Sequence, residues 1–146
     1  MTQITGNESG SILEDQINSL ITSKGYARLA KQPEGAAGYN WYIKQHRKFS
    51  TVYGGQMRLD FFIYHQTKWP DGLAVECKWQ SSPGTVDEKF PYVVENLKNL
   101  PIPSVIMLAG GGYRPSALEW IKKQSSDTLT VIESVDGAIK WARIYL

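Results

Sequence analysis

Two apolar segments on either side of a polar turn constrain this chain most. Residues 57–64 read Met-Arg-Leu-Asp-Phe-Phe-Ile-Tyr and residues 73–80 read Leu-Ala-Val-Glu-Cys-Lys-Trp-Gln. Both are rich in β-branched and aromatic residues, the composition of strands. The intervening stretch 65–72 carries Pro70 and Gly72, the breakers of a turn. Folding one strand back on the other brings Asp60 opposite the stretch from Glu76 to Lys78. Side chains two residues apart share one face of a strand, so Glu76 and Lys78 point the same way. Charged groups in so apolar a strand are rare unless they are paired or ligate something.

Two carboxylates and one ammonium at one place have a definite chemistry. Carboxylate oxygens are hard ligands, suited to Mg²⁺ or Mn²⁺. A cation held there acidifies water for attack on phosphorus. Lys78 would neutralise charge on the phosphate or orient that water. Asp60 and Glu76 are therefore the expected ligands. The bland alternative is an exposed Glu76–Lys78 ion pair on an ordinary alternating strand. The apolar setting and the acid on the partner strand favour the catalytic reading.

Asp60, a hairpin gap and then Glu76-x-Lys78 resemble the PD-(D/E)xK nuclease superfamily, over roughly residues 11–110. Leu59 stands where the namesake proline would be. The resemblance implies an α/β fold with a restriction-endonuclease-like αβββαβ core, a mixed central sheet flanked by helices. It implies Mg²⁺-dependent cleavage of phosphodiesters, with Asp60 and Glu76 on the metal and Lys78 as the catalytic lysine. In such sites the main-chain carbonyl of Cys77 also reaches the metal. In some families an acid on the first helix joins it, for which Glu14 is the candidate. Some members carry a glutamine at the position of Gln80, touching substrate or water; otherwise Gln80 is a polar strand end.

A chain of 146 residues fits one domain, residues 1–146, with residues 1–10 read as a flexible tail. The polar N-terminus and the absence of a long apolar run predict a cytoplasmic protein without a membrane span. The single cysteine, Cys77, excludes an internal disulfide and reads as a small buried hydrophobe. Net charge is only +2, so local clustering matters more than the overall field. Residues 39–48 interleave aromatics with cations. Trp41, Lys44, Arg47 and Lys48, with Arg58 and Lys89 elsewhere, are candidates to stack on or track a nucleic acid. The same stretch also reads as an amphipathic strand with its rings in the core.

Leu13, Ile17, Leu20 and Ile21 predict a helix over 11–24, ended by Gly25. Ser11 and Glu14 have capping-box spacing, and the cap is the favoured role of Glu14. Gly54-Gly55 predicts a hairpin between 50–53 and 56–59, giving three consecutive antiparallel strands with the next hairpin. A helix is expected over 85–99, with Pro91 kinking it or delaying its start. Residues 104–109 read as a buried strand, 110–112 as a glycine turn, 115–123 as a helix and 129–132 as an edge strand; 138–146 is open between helix and strand. His46 and His65 read as isolated core or surface residues.

The leading functional reading is a DNA endonuclease acting on branched or double-stranded DNA, resolvase-like or a small restriction or homing enzyme of a mobile element. A homodimer is expected, because so short a chain needs a second copy to cut both strands. The alternatives are a catalytically silent nucleic-acid-binding subunit and a phosphodiesterase for RNA or small molecules.

Overall fold

The computed structural model describes residues 6–146. Four α-helices flank one six-stranded sheet. α1 (Gly6–Ser23) precedes β1 (Ala27–Arg28), β2 (Trp41–His46), β3 (Leu59–His65) and β4 (Trp69–Trp79). A 3-10 turn (Asp87–Lys89) leads into α2 (Phe90–Lys98), then β5 (Ser104–Ala109), α3 (Pro115–Lys122), β6 (Leu129–Ile132) and α4 (Val135–Tyr145). The strands lie in the order β1-β2-β3-β4-β5-β6. β2, β3 and β4 form an antiparallel meander, whereas β5 is parallel to β4, and β6 to β5. The expected α/β fold with an αβββαβ core is therefore present.

The sheet is covered on both faces. Leu13, Ile17 and Ile21 of α1, with Ala138 and Ala142 of α4, pack on one side against Phe61, Val75, Cys77 and Met107. Phe90, Val94 and Leu97 of α2, with Ile121 of α3, pack on the other against Phe62, Ala74, Ile106 and Leu108. Burial on both sides explains why β5 is buried throughout and apolar after Ser104, with no alternation. Among the described residues no helix is long and apolar enough to cross a membrane.

Several expectations need correction. The helix begins at Gly6, so residues 6–10 of the expected tail are helical; residues 1–5 lie outside the described residues. Ser11 is thus inside α1 and cannot be its N-cap. The first strand of the meander is the aromatic-basic segment Trp41–His46, not residues 50–53. Around Gly54-Gly55 there is a tight turn with a single bridge, Ser50 to Gln56, because Thr51, Val52 and Tyr53 have little core to face. Pro91 sits at the start of α2, which delays the α-helix past the 3-10 turn. The hairpin turn before β4 is also shorter than expected, and Gly72 lies within the strand. Its φ of 109° and its contact with the Phe62 ring leave no room for a Cβ. The ambiguous C-terminal segment is helix α4, capped by Ser134, whose Oγ accepts from the Gly137 amide at 3.0 Å.

Candidate active site

β3 and β4 pair through Phe61–Val75, Phe62–Ala74 and Ile63–Leu73, so continuing the register sets Asp60 opposite Glu76. At that point main-chain rungs give way to side chains. The Asp60 amide donates to Glu76 Oε1 at 2.8 Å, and the Cys77 amide donates to Asp60 Oδ2 at 2.8 Å. Each carboxylate thus satisfies a buried amide of the opposite strand. Lys78 Nζ stands 3.4 Å from Glu76 Oε2, and an Arg58 nitrogen stands 4.0 Å from Asp60 Oδ1. Asp60 is 5 % exposed and Glu76 6 %, so the two acids are nearly dry, whereas Lys78 and Arg58 reach them from the solvent side.

The side-chain alternation slips at Asp60. Leu59 packs on the α2 side and Phe61 on the α1 side, although they are two residues apart. Across the β2–β3 pair, between the partners Lys44–Phe61 and His46–Leu59, Gln45 falls opposite Asp60. Gln45 has φ 53°, a left-handed backbone rare outside glycine and a mark of local strain. This irregularity lets Asp60 sit between acids reaching it from both faces. Glu76 comes from the α2 side, where it lines a cleft of about 180 Å³ with Arg58, Lys78 and Tyr92. Glu14 comes from α1 and lies within reach of the Asp60 charge.

The favoured capping role of Glu14 is therefore wrong, because the helix starts upstream and this side chain turns to Asp60 instead. One signal in the sequence pointed there: Glu14 borders the Leu13, Ile17, Ile21 stripe that faces the sheet. Burial, then the Asp60 charge, push the Glu14 carboxyl up from 4.5 to about 7. Burial and the same Asp60 charge push Glu76 to about 7, with Lys78 acting in the opposite direction. In the unfolded chain both groups ionise near 4.5. Between these values the folded state holds more protons, so its stability falls as pH rises through about 7. For buried Glu76 the effect is on the order of 2 kcal/mol. The melting temperature in EDTA should be lower at pH 8 than at pH 5.5, and Glu76→Gln should flatten that slope. A wild-type melting temperature that is level or rises over this range would remove the acid repulsion from the account.

The donor set fits a hard divalent cation. Asp60 Oδ1 and Glu76 Oε2 are the oxygens not bonded to main-chain amides, and two protein carboxylates suffice for Mg²⁺, which keeps waters and takes substrate oxygens. Among the described residues no three His, Cys, Asp or Glu side chains enclose an ion by themselves. Any ion held by Asp60 and Glu76 would take its remaining ligands from water, substrate, main chain or a carboxylate that turns towards it.

The other candidates divide. Lys44 lies near Glu14, which its charge stabilises in the ionised form, and its Nζ sits 5.7 Å from the Phe61 ring centroid. Lys44, Arg47 and Lys48 line a groove of about 350 Å³ with Lys31 and Gln56. Lys89 is exposed on the 3-10 turn. Contrary to expectation, Trp41 is only 3 % exposed and stacks on Tyr64, so it offers no ring to a nucleic acid. Gln80 is also corrected. Its Oε1 accepts from the Asp87 amide at 3.2 Å, and its Nε2 donates to the Gly112 carbonyl at 3.0 Å. The strand ends at Trp79, and the Gln80 amide pins its end to the next loops. Buried Asp87 continues that network, accepting from the Arg114 amide at 2.9 Å and facing its guanidinium at 3.3 Å. Cys77 is buried on the α1 side, its thiol pushed well up by burial and the neighbouring acids. His46 lies in the core, stacked on Phe62, while His65 Nδ1 accepts from the Thr67 and Lys68 amides in the turn. Sequence reasoning passed over Tyr53 and Tyr92, whose rings stack at the rim of the Glu76 cleft.

Known proteins were compared with this chain. No curated protein and no solved structure matches it. A family model described as the PD-(D/E)XK nuclease superfamily domain matches residues 5–142, nearly the whole length. Members of that superfamily are generally hydrolytic nucleases that use divalent metals. With the acids and lysine of the motif gathered on the β3–β4 hairpin of an αβββαβ core, the chain belongs to the PD-(D/E)XK nuclease superfamily.

Proposed function

We propose that this protein is a Mg²⁺-dependent DNA endonuclease, with Mn²⁺ able to substitute. The observation that carries the reading is the meeting of Asp60 and Glu76 across the β3–β4 hairpin with Lys78 beside them. Asp60 and Glu76 hold the ion, with the Cys77 carbonyl and ionised Glu14 as further ligands. The ion, when bound, acidifies water and neutralises phosphate charge. Lys78 is placed to orient the attacking water or to balance charge on the phosphate. Arg58 holds a phosphate oxygen near Asp60. The groove of Lys44, Arg47 and Lys48 supplies cations along a phosphate backbone, and exposed Lys89 on the 3-10 turn is a further phosphate contact.

The candidate contacts, Lys44, Arg47, Lys48 and Arg58, are cations suited to phosphates more than to base edges. That favours recognition of DNA shape, as in a resolvase-like or mobile-element enzyme, and a two-fold pair of copies to cut both strands. The test is a supercoiled plasmid incubated with Mg²⁺ or EDTA, beside a panel of four-way junctions, plain duplex, single strands and RNA. Nicking with Mg²⁺ that EDTA abolishes is the expected result. Clean protein that binds these substrates but cuts none with Mg²⁺ or Mn²⁺ would instead be a silent binding subunit.

A further inference from the structure

The loop before β3 holds an aromatic side chain out in water, stacked on a ring that lines the Glu76 cleft. Thr51 and Gly55 close its turn, with the Thr51 amide donating to the Gly55 carbonyl at 2.7 Å. Gly54, at φ 83°, allows the tight reversal. The Val52 amide donates to the Oδ1 of buried Asn96 at 2.8 Å, which clamps the loop to α2. At its tip Tyr53 is 86 % exposed, and its ring stacks on that of Tyr92 from α2, with centroids 5.5 Å apart and planes 22° apart. Tyr92 lines the same cleft as Arg58, Glu76 and Lys78.

So exposed a ring adds little to the core, yet it is held at two anchor points. Its outer face is open, and the charged groups of the cleft lie beside Tyr92, the ring it stacks on. An aromatic platform beside cations is the chemistry that takes a nucleobase whose phosphate lies among them. A base within an intact duplex has no free face to offer. We propose that Tyr53 and Tyr92 form a stacking platform for an unpaired base beside the cut site. The preferred substrate is then nucleic acid carrying a single-stranded or extrahelical nucleotide. The proposal rests on the nucleic-acid reading above and names the class of substrate for that site.

Binding in EDTA separates the two ideas, because it reads stacking without cleavage. The probes are a duplex with one extrahelical 2-aminopurine and the same duplex fully paired. Wild-type protein should quench the extrahelical probe and bind it more tightly than the paired one. Tyr53→Leu should lose the quench and weaken binding of the extrahelical probe roughly 10- to 100-fold, the worth of one stacked base. Its affinity for the paired duplex should stay within about twofold. Tyr53→Phe, which keeps the ring, should behave as wild type, and Tyr92→Leu with an unchanged melt should reproduce the loss. The proposal falls if Tyr53→Leu binds both probes like wild type, or weakens both equally. It also falls if only sedimentation changes, which would make the patch a contact between copies. A quench without plasmid nicking would sink the nuclease reading alone; nicking without a quench would sink this one alone.

Discussion

Asp60→Ala, Glu76→Ala and Lys78→Ala should each lower Mg²⁺-dependent nicking by about a thousandfold or more, equivalent to about 4 kcal/mol in the barrier. The acids offer the oxygens for an ion, and Lys78 is the ammonium nearest to them. The two acid variants also touch the fold. Removing the Asp60 carboxylate strands the Cys77 amide, and removing that of Glu76 strands the Asp60 amide. An orphaned buried amide costs about 1–3 kcal/mol, so these variants should melt earlier than wild type. Asp60→Asn and Glu76→Gln keep an acceptor oxygen while discarding the charge. They should stay well folded yet lose activity, with any remainder requiring more metal. Lys78→Ala should melt close to wild type, because its side chain is 29 % exposed and accounts for no buried amide. Nicking at the wild-type rate by any of these folded variants would remove that residue from the mechanism.

Gly110→Ala should produce a large loss of stability for so conservative a change. The residue has φ 105°, where a side chain is strained, and a Cβ would stand 2.5 Å from the Gln80 carbonyl oxygen. That oxygen and the carbonyl carbon, 2.6 Å away, are main chain, which has no rotamer to yield. The neighbouring Gly112 amide already donates to that same carbonyl at 2.6 Å, so the loop cannot simply back away. We expect a loss on the order of 3 kcal/mol, and a melting temperature lower by about 10 °C. Nicking at permissive temperature should fall as well, because Gln80 is two residues from Lys78. A melting curve within about 2 °C of wild type would show that the loop relaxes freely.

The parts of this fold written in local pattern were legible in advance. The β4 segment, the buried β5, the helix over Leu13–Ile21 and the edge strand β6 each carry their own periodicity or apolar run. So does the meeting of Asp60 with Glu76, which needs only two strands and a turn. What failed depended on partners distant in sequence. Trp41, Tyr42, Ile43 and His46 are buried across both faces while Lys44 and Gln45 reach outwards, so the segment shows no alternation and resembled a surface binding stretch. The Gly54-Gly55 signal marked a true turn, but a turn does not ensure a ladder beside it. Gln80 has the spacing of a site residue and the contacts of a strap, because the strand stops at Trp79. Glu14 was read against an imagined helix start, and only the packing of α1 on the sheet brings it to Asp60.

The amide bonds accepted by Asp60 and Glu76 bear on how such a protein could decay. A lineage that no longer needed to cut would be free to lose charge at these positions, but not to lose an acceptor oxygen, since two interior amides depend on one. Inactive descendants that keep this architecture should therefore carry asparagine or glutamine there more often than alanine, and a neutral amide at 60 or 76 would mark retirement from chemistry rather than collapse of the sheet.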